Sequence, residues 1–181
     1  TIGANVKLNE TIISKIAEFL DDSKLDMRFF SLMALRDIGA HGMFNEAIIS
    51  KVAEFLDDSE RGMRILALKA LGKIGAHVKF DEAIISKIAE LLDDSDSIVR
   101  KAAAEALGTI GTHGMLDEKI NSTFVELLID KNYGMQIGTL KALGKIAALR
   151  KIDVEVIIKI AELLDDIDWE VEKAAAEALE T

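Results

Sequence analysis

The stretch Ile84-Ile-Ser-Lys-Ile-Ala-Glu-Leu-Leu-Asp-Asp94, with Val99-Arg-Lys-Ala-Ala-Ala-Glu-Ala-Leu-Gly108 after it, decides the fold of this chain. It recurs upstream and downstream at a step of 36 residues. Asp22, Asp58, Asp94, Asp130 and Asp166 form one column, and Leu35, Leu71, Leu107, Leu143 and Leu179 form another. A constant period of this size marks a stack of similar units, each burying its apolar face against the next. Ile84, Ile85, Ile88, Leu91 and Leu92 are spaced as one helix face, from about Asp81 to Leu92. Val99, Ala103, Ala106, Leu107 and Ile110 predict a second helix from about Ser97 to Ile110.

Each first helix is announced by Asn9, Asn45, Asp81, Asp117 or Asp153, all good N-caps and mostly followed by Glu, which suits the positive helix end. Gly39, Gly75 and Gly111 follow the second helices and read as C′ glycines with φ > 0. Asp-Asp-Ser between the helices supplies turn chemistry. The predicted fold is all-α: a single α-α superhelix over 1–181, built of five helix-pair repeats of 36 residues. The repeats fall at about 9–44, 45–80, 81–116, 117–152 and 153–181, with 1–8 the tail of a preceding repeat.

Composition narrows the function. Half of the 181 residues are hydrophobic, and both Pro and Cys are absent. Without Cys there is neither a disulfide framework nor a thiolate metal site, which fits a reducing, cytoplasmic setting. No apolar run reaches the roughly 18 residues of a membrane span, so no membrane partner is expected. The net charge of −10 argues against nucleic acid, whose binding rests on cations meeting phosphates.

With these columns in view, the chain resembles the HEAT-repeat family, and in particular its short, phycobilisome-lyase-like branch. The resemblance covers the whole chain and rests on Leu92, Asp94, Val99, Arg100, Ala103, Ala106, Leu107 and Gly108. It implies a HEAT-like, armadillo-like α-solenoid whose second helices line a concave protein-binding face. It also implies a ladder pairing Asp22 with Arg28, Asp58 with Arg64 and Asp94 with Arg100. Gln136 and Glu172 end that ladder after the third copy.

A longer period of 72 residues overlies the first. Gly62 and Gly134 open one kind of second helix, and Val99 and Val171 belong to another. The column Met33, Lys69, Glu105, Lys141, Glu177 then alternates in charge, which predicts lateral pairing between neighbouring helices. Thr1, Thr109 and Thr181 share a column, so both ends are cut in phase. The expectation is a slice of a longer array, or a chain trimmed to whole repeats. Open apolar ends would permit head-to-tail self-association.

Chemistry finds little support. His41, His77 and His113 share a connector column. Repeats about 10 Å apart cannot bring such side chains to one zinc at about 2.1 Å. The acidic turns Asp21-Asp22, Asp57-Asp58, Asp93-Asp94 and Asp165-Asp166 lack calcium-loop spacing. No nucleophile motif or triad appears, so no enzyme, metal or cofactor is expected. Gly72, Gly108 and Gly144 recur once per repeat inside a helix, as close helix packing requires.

Function is therefore sought in the columns that vary. These name a protein-binding concave face of Leu25, Phe29, Phe30, Met33, Arg61, Ile65, Lys69, Tyr133, Ile137, Lys141 and Trp169. The resemblance implies that such positions are those diversified in artificial HEAT-like scaffolds, and aromatic anchors suit a hot spot. The leading reading is a non-catalytic scaffold for a protein or peptide. The alternatives are a structural spacer or oligomerising module, and, by family analogy alone, a bilin-lyase-like subunit. The fourth copy breaks its columns at Asn121, Thr123, Phe124, Ile129, Lys131 and Gln136, which marks a hinge or a tuned binding position.

Overall fold

The structure, a computed structural model, describes residues 10–41, 43–112, 118–148 and 152–180. The first helices of the pairs are α1 (Glu10–Glu18), α3 (Glu46–Glu54), α5 (Glu82–Glu90), α7 (Glu118–Leu128) and α9 (Val154–Glu162). The second helices are α2 (Leu25–Ile38), α4 (Arg61–Gly75), α6 (Ser97–Thr112), α8 (Tyr133–Ala147) and α10 (Trp169–Leu179). Each first helix packs on the second helix that follows it. First helices stack in one layer and second helices in another, in chain order. The result is an all-α superhelix of two helical layers.

The core lies between the layers and is built from the repeating columns. Leu35, Leu71, Leu107 and Leu143 are almost wholly buried, as are Leu20, Leu56, Leu92 and Leu128. Burying such a side chain contributes about 2 kcal/mol, so each added pair stabilises the stack mainly by this route. Asn45 accepts from the Ile48 N–H at 3.0 Å and Asp81 from the Ile84 N–H at 2.9 Å, each the N-cap the sequence predicts. Asp153 caps α9 through the Glu155 N–H at 2.9 Å. Asn9 and Asp117 lie outside the described residues. Phe44 and Phe80, one residue before the caps, are buried, the position of a hydrophobic staple.

Two local expectations are corrected. Gly39 has φ −52° and ψ −34°, and Gly75 and Gly111 lie inside α4 and α6, so the left-handed C′ role is not what selects these glycines. Space is the reason at Gly39 and Gly75. A Cβ on Gly75 would stand 2.7 Å from Ile110 Cγ1 and 2.9 Å from Phe80 Cε2. Gly72 shows the close helix approach the sequence implied, with its Cβ position 3.1 Å from Ala106 Cα.

The Asp–Arg ladder is also redrawn. All five Asp of the column close their own turn, accepting at 2.8–2.9 Å from the N–H two residues on, at Lys24, Glu60, Asp96, Asn132 and Asp168. Arg64 does not pair with the Asp58 carboxylate. Its Nη1 donates to the Asp58 and Ser59 carbonyls at 2.8 and 3.0 Å, and its other nitrogens reach Asp94 of the next pair. There Nη2 donates to Oδ1 at 3.2 Å and Nε lies 2.9 Å from Oδ2 as an ion pair. The carboxylate already accepts from its own turn, so it faces outward to the preceding pair's arginine. Arg100 holds only the near half, donating to the Asp94 carbonyl at 2.6 Å and that of Ser95 at 3.2 Å. The pairing expected of Asp22 and Arg28 is not made, and Arg28 Nε is buried without a partner.

Candidate functional site

Two kinds of charged group occupy the surface, and they do different things. One set ties successive pairs together across the turns. Lys51 pairs with Asp21, Lys87 Nζ donates to Asp57 at 2.7 Å, and Arg61 Nη1 donates to Asp96 at 2.7 Å. The lysine rungs join residues 30 apart, from the columns Lys15, Lys51, Lys87, Lys159 and Asp21, Asp57, Asp93, Asp165. Those columns were visible in the sequence, but their mutual reach depends on how far one pair is displaced from the next. The Arg61 hydrogen bond, then the Ile98 backbone N–H, holds the Asp96 carboxyl below its ordinary value. The same contact raises Arg61 above its own.

The second set lies on the outer face of the second helices and forms the candidate site. A cavity of 670 Å³ crosses α6, α8 and α10, lined by Ser97, Arg100, Lys101, Ala104, Glu105, Gly134, Ile137, Gly138, Leu140, Lys141, Gly144, Lys145, Glu170, Ala174, Glu177 and Ala178. A second of 430 Å³ crosses α2, α4 and α6, lined by Arg36, Asp37, Leu68, Lys69, Gly72, Lys73, Ala102, Glu105, Ala106 and Thr109. Glu105 borders both, so they are two lengths of one groove. Small residues make the floor: Ala102, Ala106 and Gly72 in one part, Ala104, Gly138 and Ala174 in the other. The lining holds seven cations against four anions, on a chain of net charge −10.

Of the residues singled out in the sequence, Lys69, Ile137 and Lys141 line this groove. Met33 and Ile65 are half-buried on the same layer. Leu25, Arg61, Tyr133 and Trp169 are the exposed first residues of α2, α4, α8 and α10, so they form a rim at the helix starts rather than the groove floor. Phe29 and Phe30 meet edge to face, ring centres 5.7 Å apart. Phe30 is 57% exposed, whereas Leu66, Ala102 and Ala174 in its column are buried, so it sits on the flank of α2 away from α4. Groove residues outside the varying columns named from the sequence include Lys73, Lys145 and Glu105, the last of them a member of the alternating column for which the sequence predicts lateral pairing.

That lateral pairing is corrected. Glu105 lies 4.0 Å from Lys101, and Glu177 3.8 Å from Lys173, each one turn away on its own helix. A contact within one helix is shorter to close than one across a groove, and it leaves the lysines of α4 and α8 facing outward. His41 and His77 are exposed connector residues whose backbone N–H groups bond Ile38 and Ile74 at 2.9 Å. His113 lies outside the described residues. Among the described residues no three His, Cys, Asp or Glu side chains gather as a metal site, and no helix is long and apolar enough to cross a membrane.

Two stacked helical layers with an open groove along one of them define the class: an α-solenoid of helix pairs. The family model of HEAT repeats matches residues 49–118 and 85–180, and the chain belongs to that family. Solved structures agree in fold. The archaeal HEAT-like repeats protein from Thermococcus onnurineus NA1 has a TM-score of 0.66 at 15% identity, covering 95% of this chain and 70% of its own. The complex of CpcE and CpcF of phycocyanin lyase from Nostoc sp. PCC7120 gives 0.58 at 21%, covering 99% and 66%. A designed armadillo repeat protein in complex with the peptide (KR)4 gives 0.53 at 22%, covering 96% and 87%. No curated protein sequence matches the chain.

Proposed function

We propose that the chain is a non-catalytic scaffold that binds a protein or peptide along the outer face of its second helices, in a reducing, cytoplasmic setting. The observation that carries the reading is the pair of cavities, 670 and 430 Å³, that meet at Glu105 and run across five second helices. A groove with an apolar floor and a charged rim suits an extended chain, and the peptide-bound designed armadillo protein has the same type of fold. The exposed rim at Tyr133 and Trp169 would add aromatic anchors beside the groove.

Peptide display against the whole chain tests it. Binders should be lost on Ile137→Arg combined with Tyr133→Ala and Trp169→Ala, and kept on Ile158→Asp in the other layer. Capture indifferent to the groove variant rejects the scaffold reading. An oligomerising role is favoured by a separate observation. Ile12, Phe30, Ile157, Leu164 and Leu179 are 37–57% exposed, while their counterparts in the interior pairs are mostly buried. Sedimentation that does not change with concentration, or is unaltered by Phe30→Glu, rejects that role.

A further inference from the structure

Unlike Lys101 of α6, which lies 4.0 Å from Glu105, the groove lysines of α4 and α8 form no ion pair among the described residues. Lys69 and Lys73 on α4, and Lys141 and Lys145 on α8, are exposed, and among the described residues none is ion-paired. Each pair is one turn apart, so both ammonium groups share a ridge. Between the ridges, α6 presents Glu105 and Thr109 at the corresponding positions. Adjacent helix axes lie about 8–10 Å apart, which sets the two ridges about 16–20 Å apart. An extended chain advances about 3.3 Å per residue, so about six residues span that distance.

We propose that the groove reads an extended acidic peptide: two acidic clusters about six residues apart, with a neutral or basic residue midway. The acids meet the two lysine ridges and the midpoint lies over Glu105. This deepens the peptide-scaffold reading above and rests on it. The groove's positive balance, on an acidic protein, selects the sign of the partner, because charge complementarity steers encounter and penalises the wrong register. Glu105 selects spacing as well as sign. An evenly charged polyanion must set a negative group against it, whereas a peptide with a neutral midpoint need not.

Fluorescence anisotropy with the full chain and three short labelled peptides tests this. One carries two Asp-Glu pairs about six residues apart in a Ser/Ala background. Another has the same composition with the acids contiguous, and a third has Lys for every acid. The spaced peptide should bind about tenfold tighter than the contiguous one, and the lysine peptide should not compete. Lys69→Glu with Lys141→Glu should weaken the spaced peptide by about tenfold or more. These are surface substitutions, and an unaltered thermal transition checks the fold. Glu105→Lys should erase the preference for spacing.

Equal binding of the spaced and contiguous peptides, or no response to charge reversal, overturns the proposal. Displacement by inorganic polyphosphate, equally effective on the native chain and on Glu105→Lys, also overturns it. Random-peptide selection separates the two levels. Binders that depend on Ile137 but lack spaced acids leave the scaffold standing and overturn the acidic register. Absence of any groove-dependent binder overturns both.

Discussion

The second and third helix pairs are joined by Lys87 to Asp57, Arg64 to Asp94 and Arg61 to Asp96, but the fourth pair meets its neighbours differently. Where Lys51 and Lys87 stand in earlier pairs, position 123 is Thr, and Asp93 instead accepts from Asn132. Where Asp21 and Asp57 stand, position 129 is Ile, and Lys159 turns to Glu162 of its own helix at 2.7 Å. The 3-10 turn that ends α1, α3, α5 and α9 is not found after α7. Gln136 replaces the arginine, donates to the Leu128 carbonyl at 2.9 Å, and leaves its Oε1 buried without a partner.

The stack nevertheless continues. Phe124, Leu128, Leu140 and Leu143 are at most 1% exposed, as well buried as their counterparts. Apolar burial holds the pairs together, and exposed ion pairs adjust the junctions by much less. The contrast predicts a graded set of responses.

Arg64→Ala should cost most, about 3 kcal/mol by urea unfolding, because it leaves the largely buried Asp94 carboxylate unpaired. A loss no larger than that of an exposed pair would remove the stitch as a distinguishing feature. Native-state hydrogen exchange should find α7 opening more readily than α5, by about 1.4 kcal/mol or tenfold in protection. Uniform protection would remove the hinge reading of the fourth pair. Gln136→Arg should gain about 1 kcal/mol, since Asp166 stands 30 residues on, as Asp94 does from Arg64. No gain would mean that the fourth and fifth pairs meet at another displacement.

Ile129→Asp should restore a rung to Lys159 and add about 0.3 kcal/mol, read from a double-mutant cycle. The smallest effect is that of Asp96. Its lowered folded value makes the Arg61 contact contribute above the ordinary carboxylate range and fade as pH falls through the lowered one. NMR titration should place Asp96 low in the native chain and return it upward in Arg61→Ala.

Helix positions, caps and core columns were readable because they depend on local spacing, which a 36-residue period repeats several times over. The groove was readable in part. Ile137 and Lys141 line the cavity across α6, α8 and α10, whereas Leu25, Tyr133 and Trp169 begin helices and so form a rim. Glu105 and its lysine neighbours were legible as an alternating column, but their partners were not. A side chain one turn away on the same helix and one on the next helix compete at similar range, and sequence spacing alone does not choose between them.

Local spacing was enough to set the stack: which residues are helical, which faces are apolar and which copy is irregular. These follow from the 3.6-residue helical period and from columns that keep their apolar character. The rest came from how the helix pairs pack on one another. The displacement between pairs put Arg64 on Asp94 instead of the Asp58 carboxylate. Close packing by Ile110 and Phe80, not backbone handedness, accounts for Gly75. The Arg64 pairing and the Ile110 contact depend on distances between segments 30 and 35 residues apart, which a local pattern does not encode.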